Sequence, residues 1–317
     1  MEQHSTGGTI CAGIDVSKAW LDIALTPGQE AWREANTAEG HARLAQKLKA
    51  VGVEKVGLEA TGGYELAVTE ALRAEGLPVI VFQPRQVKAY GAFKLQRAKS
   101  DGIDARLIAQ CTQAQDTLRD APSPDLLALA EHLTRIEQIE EDLARARIRR
   151  ERFRDERLLA QLADEIARLK RLKAAELARL GQAVADRAEL AHRMKLLLSI
   201  PGLGNRTALA LVIRMPELGR LSRTQAAALV GVAPFVHESG RYKGQRRTGG
   251  GRARLRTSLF AAAQAAALRW NPALVALYRR LAERGRPHAL AIVACVRKLV
   301  IFANAVIAKD RPWKTPA

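Results

Sequence analysis

Thr9–Leu25, TICAGIDVSKAWLDIAL, decides how the first third of the chain folds. Ile10, Ala12 and Ile14 alternate with Thr9, Cys11 and Gly13, which is the period of a β-strand. Val16-Ser17-Lys18 supplies a turn, and Trp20–Leu25 returns as a second strand. The hairpin places one carboxylate, Asp15, where the first strand meets solvent. A carboxylate there loses hydration and has no cation in its own segment, which suits a divalent metal. An Asp that caps turn amides would look the same in isolation, so the reading depends on further carboxylates.

Working outward, Glu30–Ala35 is expected as a third strand and Thr37–Ala50 as a helix carrying Leu44 and Leu48 inward. Glu54–Glu59 is a short strand ending on a carboxylate, and Ala60-Thr61-Gly62-Gly63 turns the chain into a helix over Tyr64–Glu75. Leu77–Phe82 is the next strand, stopped by Gln83-Pro84. A basic stretch, Arg85–Lys99, then leads to a helix that Ser100 would cap and that runs to about Cys111. A hairpin followed by strands alternating with helices describes an α/β sheet of mixed direction.

Ala121-Pro122-Ser123-Pro124 marks a boundary, and between Asp125 and Leu180 the chain has neither Pro nor Gly. Leu126, Leu129, Leu133, Ile136 and Leu143, then Leu158, Leu162, Ile166 and Leu169, keep three- and four-residue spacing. That pattern reads as a coiled coil, either one long helix or two packed arms, with a bend within Arg145–Arg157. The expected division is 1–121, 122–181 and 182–317.

In the last part, Pro201-Gly202-Leu203-Gly204 between helical segments is similar to a helix-hairpin-helix. There Gly202 and Gly204 would let amides at a helix N-terminus approach a phosphate, with Arg206 beside them; a plain interhelical turn is the alternative. Leu221–Val230 is expected as a helix. Arg241–Arg256, RYKGQRRTGGGRARLR, holds seven Arg or Lys among sixteen residues together with four glycines. It is the expected nucleic-acid contact, through Arg241, Lys243, Arg246, Arg247, Arg252 and Arg254, on a flexible loop. Ala- and Leu-rich helices over about Leu255–Arg269 and Ala289–Ala308 close this region.

Lys and Arg outnumber Asp and Glu by 51 to 33, a net charge of +18. Such an excess points to a polyanionic partner, most simply nucleic acid, although a structural nucleic-acid-binding protein would share it. Cys11, Cys111 and Cys295 are scattered and without a CxxC pair, which fits reduced core residues and neither zinc nor disulfides. No secretory signal is visible in MEQHSTGGT, and Ala289–Ala308 is interrupted by Arg297-Lys298. The expectation is a cytoplasmic protein, nucleoid-associated when bound to DNA, with no membrane partner.

Four carboxylates stand at the ends of expected elements: Asp15, Glu59, and the pair Asp101 and Asp104 on one helix face. Convergent hard oxygen donors suit two Mg²⁺ or Mn²⁺ ions, which activate an attacking oxygen and stabilise a leaving one at a phosphodiester. Asp22, Glu65 and Asp116 are less suitably placed. Ser239, beside the basic segment, is either a plain loop serine or a hydroxyl that cations could activate toward phosphorus. His237 two residues away need not touch it.

Gly13-Ile14-Asp15-Val16-Ser17-Lys18, Glu59-Ala60-Thr61-Gly62, Lys99–Ala105, Ile200–Gly204 and Ser239-Gly240 occur together in one order. Over nearly its whole length the chain resembles the insertion-sequence-110 (IS110) transposases, relatives of the Piv-type DNA invertases. The resemblance implies an N-terminal RuvC-like (RNase H-fold) domain, a central coiled coil and a C-terminal helical transposase domain. It implies a DEDD set at Asp15, Glu59, Asp101 and Asp104, and Ser239 as a nucleophile forming a phosphoserine. It also implies donor and target DNA, an element-encoded structured guide RNA, and a homo-oligomer, dimer or tetramer. Thr248-Gly249-Gly250-Gly251-Arg252 departs from the family pattern, in which Ile precedes Lys-x-Gly. The residues leave two other readings: a RuvC-like structure-selective endonuclease with water as nucleophile, and a non-catalytic nucleic-acid-binding protein.

Overall fold

β1 (Cys11–Val16) is buried along nearly all its length because it lies at the centre of a five-stranded sheet. The computed structural model describes residues 9–95, 101–115, 123–235, 238–239, 242–243 and 247–314, with backbone alone at 101–103, 124, 235, 238–239, 242–243 and 247. β2 (Trp20–Thr26) pairs antiparallel with β1 from Val16↔Leu21 to Cys11↔Thr26, and β3 (Ala31–Ala35) pairs antiparallel with β2. α1 (Ala38–Val51) carries the chain across to β4 (Lys55–Glu59), which lies parallel to β1. α2 (Glu65–Ala74) leads to β5 (Val79–Phe82), parallel to β4. The order β3-β2-β1-β4-β5, a three-strand meander extended by two parallel strands, is that of an RNase H-like fold.

Each boundary has a local cause. Thr37 caps α1 by accepting from the Gly40 N–H, and Gly52 ends it in a left-handed conformation. Leu44 and Leu48 of α1 meet Ile14, Val16, Leu21 and Leu58 in the core on one face of the sheet. Two further helices, α3 (Pro84–Phe93) and α4 (Asp101–Gln113), follow β5. α3 falls almost wholly within the basic stretch Arg85–Lys99, where a helix is not expected from composition. Its start was legible, with Pro84 in the first turn and a reciprocal capping box between Gln83 and Gln86. The expected cap Ser100 lies outside the described residues.

α4 covers the opposite face of the sheet, and it does so at two bare glycines. A Cβ on Gly13 would overlap the Ala109 amide and the Ala105 carbonyl, and one on Gly57 would overlap the Thr112 hydroxyl. Thr112 is fully buried and returns its hydroxyl to the Ile108 carbonyl at 2.7 Å, so its oxygen is satisfied within the helix. Mid-strand glycines mark such close approach of another backbone.

By contacts, the chain divides into Met1–Ala121 and Pro122–Ala317. The second unit begins with α5 (Pro124–Arg152) and α6 (Glu156–Ala185), a helical hairpin turning at Phe153–Asp155. Ser123 caps α5 and Asp155 caps α6, each accepting an amide three residues on. Lys173–Glu140 at 2.9 Å and Arg149–Glu165 at 3.7 Å show the antiparallel register. Ile139, Leu143 and Ala146 pack on Ile166 and Leu169 along the hairpin, while Leu129, Leu133, Leu180 and Val184 at its base enter the main core. α7 (Ala188–Leu198), α8 (Asn205–Arg214) and α9 (Arg223–Val230) follow. Four two-residue strands come next: β6 (Pro234–Phe235), β7 (Glu238–Ser239), β8 (Tyr242–Lys243) and β9 (Arg247–Thr248). α10 (Ala253–Ala265), a π turn over Ala266–Trp270, α11 (Pro272–Glu283) and α12 (His288–Ala308) complete the unit.

α12 is the one described helix long and apolar enough to cross a membrane by length and composition. Here Ile292, Cys295, Val296, Leu299 and Val300 are buried among the other helices of the core. Asn304, nearly buried on the same helix, accepts from the Gly219 amide and donates to the Leu221 carbonyl, both at 2.8 Å.

The glycine contact is directly testable. Gly13→Ala must push α4 away, because the overlapped atoms are backbone, and we expect it to cost about 1–3 kcal/mol of stability. Urea denaturation followed by circular dichroism measures it; an unchanged midpoint would mean that α4 does not rest on β1 as described.

Candidate functional site

Strand alternation extends the glycine faces to the carboxylates. Asp15 lies two residues after Gly13 and Glu59 two after Gly57, so both side chains leave the sheet on the face covered by α4. The β1–β4 register runs from Cys11↔Lys55 to Ile14↔Leu58, and one further step places Asp15 beside Glu59. Both are half-buried and both hold interactions with their surroundings.

α4 runs against β1. Gln113 at its C-terminus accepts from the Thr26 hydroxyl and donates to the Thr9 carbonyl, at the start of β1 and end of β2. Its N-terminal turn, with positions 101 and 104, therefore lies at the end of β1 where Asp15 sits. Gly13 faces the level between Ala105 and Ala109. Asp15 is roughly 6.6 Å further along the strand. Positions 104 and 101 are roughly 4.5 and 9 Å further along the helix in the same direction. Asp15 thus falls level with the interval between them. Asp104 is half-buried; the side chain of Asp101 lies outside the described residues. Among the described residues no group of three or more His, Cys, Asp or Glu side chains is already drawn together around an ion.

Two of the other carboxylates have structural duties. Asp22 pairs with Arg33 through two hydrogen bonds of 2.8 and 3.0 Å across β2 and β3. Glu65 accepts from the amides of Thr61 and Gly63 and from the Thr61 hydroxyl, fixing the turn that follows Glu59. Burial alone would raise its pKa, but these donors and its own amide hold it below the ordinary carboxylate value. Asp116 lies outside the described residues.

In the second unit, Ser239 is not on an irregular loop. β6 pairs with β9 and β7 with β8, the second pair through Glu238↔Lys243 and Ser239↔Tyr242. The serine is therefore carried on one of these short paired strands, which make up a narrow β-ribbon. Lys243 and Arg247 stand on its strands, while Arg241, Arg246 and His237 lie outside the described residues.

The ribbon's root explains the Gly-Gly-Gly-Arg segment. Gly231 and Gly251 both have positive φ and approach each other so closely that a Cβ on either would meet the other strand's backbone. The Arg252 amide donates to the Leu229 carbonyl at 2.7 Å. Its guanidinium pairs with Glu217 and donates to the Arg214 carbonyl. Arg256 donates to the carbonyls of Val230 and Gly250. Arg252, expected on phosphate, is thus a strut under the ribbon.

Arg206 and Arg254 likewise meet carboxylates within the unit. Glu137 of α5 accepts from Arg206, Arg214 and Arg254 at 3.2, 2.6 and 2.8 Å, and Arg206 also reaches Glu140. Arg206 is only 21% exposed, so its charge is matched inside the fold rather than presented at the hairpin; Arg254 keeps half its side chain in solvent. Gly202 does not line an open cradle either, since a Cβ there would overlap the Ala266 side chain. Gly204 is the open glycine: it is the N-cap of α8, without a side-chain cap and with nothing near its missing Cβ. Glu137 was missed by sequence analysis because nothing in a helix with so many carboxylates distinguishes the one that faces inward.

Two family models match. A DEDD-type IS110 model described as a transposase covers residues 12–164, and one described as transposase IS116/IS110/IS902 family covers residues 194–279. The chain belongs to the IS110 family of transposases. Its relatives include the pilin gene-inverting proteins of Moraxella bovis and Moraxella lacunata, each 25% identical over 95% of this chain and 96% of theirs. A Thermus thermophilus RuvC structure matches 35% of this chain and 83% of its own, at 22% identity and a TM-score of 0.23. The RNase H-like assignment rests on the sheet order. The chain is accordingly a DNA recombinase or transposase enzyme, and DNA is its partner.

Burial would raise the pKa of Glu137, but hydrogen bonds from Arg254 and Arg214 and the charges of Arg214 and Arg206 hold it below the ordinary value. A depressed carboxylate contributes stability above its unfolded pKa of about 4.3 and loses it as pH falls through the folded value. Glu137→Ala should cost about 3 kcal/mol at neutral pH by leaving cations unmatched. The gap from the parent protein should narrow below about pH 4. Denaturant midpoints across pH 3–8 would show it, and a gap independent of pH would assign the loss to packing.

Proposed function

We propose that this transposase cuts and rejoins DNA strands with divalent metal held by Asp15, Glu59, Asp101 and Asp104 and with Ser239 as the attacking group. The observation that carries the reading is the convergence of Asp15, Glu59 and the first turn of α4 at one end of one sheet face. An all-oxygen, acidic donor set suits Mg²⁺ or Mn²⁺. Such ions, when bound, stabilise charge on the phosphate oxygens. The match to a DEDD-type transposase model supports the same assignment.

In this reading the Ser239 hydroxyl loses its proton and its oxygen attacks phosphorus, and one deoxyribose oxygen leaves. The phosphoserine ester preserves the energy of the phosphodiester, so a second DNA hydroxyl can displace the serine without a nucleotide cofactor. Arg241, Lys243, Arg246 and Arg247 follow Ser239 within eight residues of sequence and would attract the scissile phosphate. The names of the Moraxella relatives describe gene inversion, which requires that DNA strands be cut and rejoined. We further propose a structured guide RNA and a homo-oligomeric assembly as partners; the +18 charge is compatible with the RNA.

Asp15→Ala and Glu59→Ala should abolish strand cleavage in Mg²⁺ while leaving DNA affinity largely intact, as gel-shift and cleavage assays on the same samples would show. Full recombination by Asp15→Ala would end the metal-site assignment. Ser239→Ala should remove both cleavage and a protein–DNA adduct trapped by denaturant from labelled DNA. Undiminished cleavage by Ser239→Ala, with no adduct from the parent protein, would make water the nucleophile and the chain a RuvC-like nuclease.

A further inference from the structure

Trp270 is 56% exposed at the end of the π turn, and Leu268 two residues earlier is 53% exposed. Exposed apolar side chains scattered singly are ordinary, but an exposed aromatic on a rigidly seated turn offers a flat apolar face to a partner. This one is held still. Ala266 and Ala267 are buried beneath it, and the Asn271 amide closes the turn on the Ala266 carbonyl at 2.9 Å. Asn271 itself is completely buried. Its side chain donates to the Pro201 carbonyl at 3.2 Å and accepts from the Leu274 amide at 3.3 Å. Gly202 lies so close to Ala266 that no side chain fits between them. The π turn is therefore bolted to the Pro201–Gly204 turn. The backbone that carries Trp270 thus has a set position against that turn. Single π turns inside α-helices are frequent at functional sites.

The cation on the ring, and the arginines of the segment that follows it, point to the class of partner. The Arg269 guanidinium lies over the Trp270 ring, 4.8 Å from its centroid. Residues 266–286 carry five arginines, Arg269, Arg279, Arg280, Arg284 and Arg286, against one carboxylate, Glu283. A hydrophobic protein partner would gain little from that excess, whereas a nucleic acid supplies both phosphates for the arginines and a flat base for the ring. A base inside a duplex already has both faces stacked, so the available face belongs to an unpaired nucleotide.

We propose that Trp270 is a stacking platform for an unpaired base of the bound nucleic acid, with Arg269 drawing in the adjacent phosphate. The inference rests on nucleic acid being the partner and is independent of the metal and serine assignments. Cutting and rejoining strands between two duplexes passes through locally unpaired bases. A rigid aromatic face offers them stacking at small entropic cost.

The test uses the full chain with EDTA present, so that cleavage plays no part. The parent protein, Trp270→Ala and Trp270→Phe are titrated with three DNAs of one sequence carrying 2-aminopurine: single-stranded, bulged with three unpaired bases, and fully paired. We expect Trp270→Ala to lose about tenfold or more in affinity for the single-stranded and bulged forms. Affinity for the paired duplex should be unchanged. Quenching of 2-aminopurine should be lost in Trp270→Ala and largely kept in Trp270→Phe. Equal affinities of Trp270→Ala and the parent for unpaired DNA would overturn the proposal. So would an equal loss on all three DNAs with an altered thermal melt, which would assign Trp270 to folding. Loss of self-association in sedimentation with unchanged affinity per protomer would assign the surface to a second copy of the chain, and would overturn it as well.

Discussion

The contact on which the N-terminal unit depends is the seating of α4 on the bare backbone of Gly13 and Gly57. Side chains at these positions would hold a helix at the usual stand-off from a sheet; glycine removes that spacing. The helix then lies close enough for its first turn to share the end of the sheet with the last residues of β1 and β4. Positions separated by some ninety residues of sequence, Asp15 and the start of α4, are brought to the same end of the sheet because an antiparallel helix crosses parallel strands. The same contact places Thr112 over Gly57, where its hydroxyl is satisfied by its own helix rather than left unpaired in the core. On the other face, α1 packs through ordinary aliphatic side chains, so the two faces of one sheet are built at different depths.

In the second unit the arrangement of charge does comparable work. A chain with 51 cationic and 33 acidic side chains must bring cations near one another wherever its helices pack. Glu137, buried among Arg206, Arg214 and Arg254, lets α5, α8 and α10 approach without leaving several guanidinium groups unmatched. Glu217 does the same for Arg252 at the root of the ribbon. Part of the positive charge is therefore structural and part is left for a partner, and the two kinds are interleaved: Arg252 braces the ribbon on whose strands Lys243 and Arg247 stand.

The strands and most helices were legible because their signals are local. Alternation in TICAGIDV, the Thr37 and Ser222 caps and the left-handed glycines at the ends of α1 and α9 all act within a few residues. α3 was passed over because its charged surface outweighed a capping box that was plainly present. The ribbon was read as a loop because strands of two residues carry no period. The internal pairing of Arg206 and Arg252 was illegible for a different reason. An arginine that will meet a glutamate seventy residues earlier looks, in sequence, the same as one that will meet a phosphate.

By itself the sequence determined the order of most strands and helices, the break near Pro122 and the family, all of which depend on near-neighbour chemistry or on the joint order of motifs. Only the tertiary structure decided that α4 runs back along β1, so that Asp15, Glu59 and Asp104 share one end of one face. It also decided that the Asp125–Leu180 helices fold into a hairpin whose base enters the C-terminal core, and which arginines are matched internally. These outcomes follow from contacts between residues far apart in the chain, and a linear pattern contains the partners without saying which will meet.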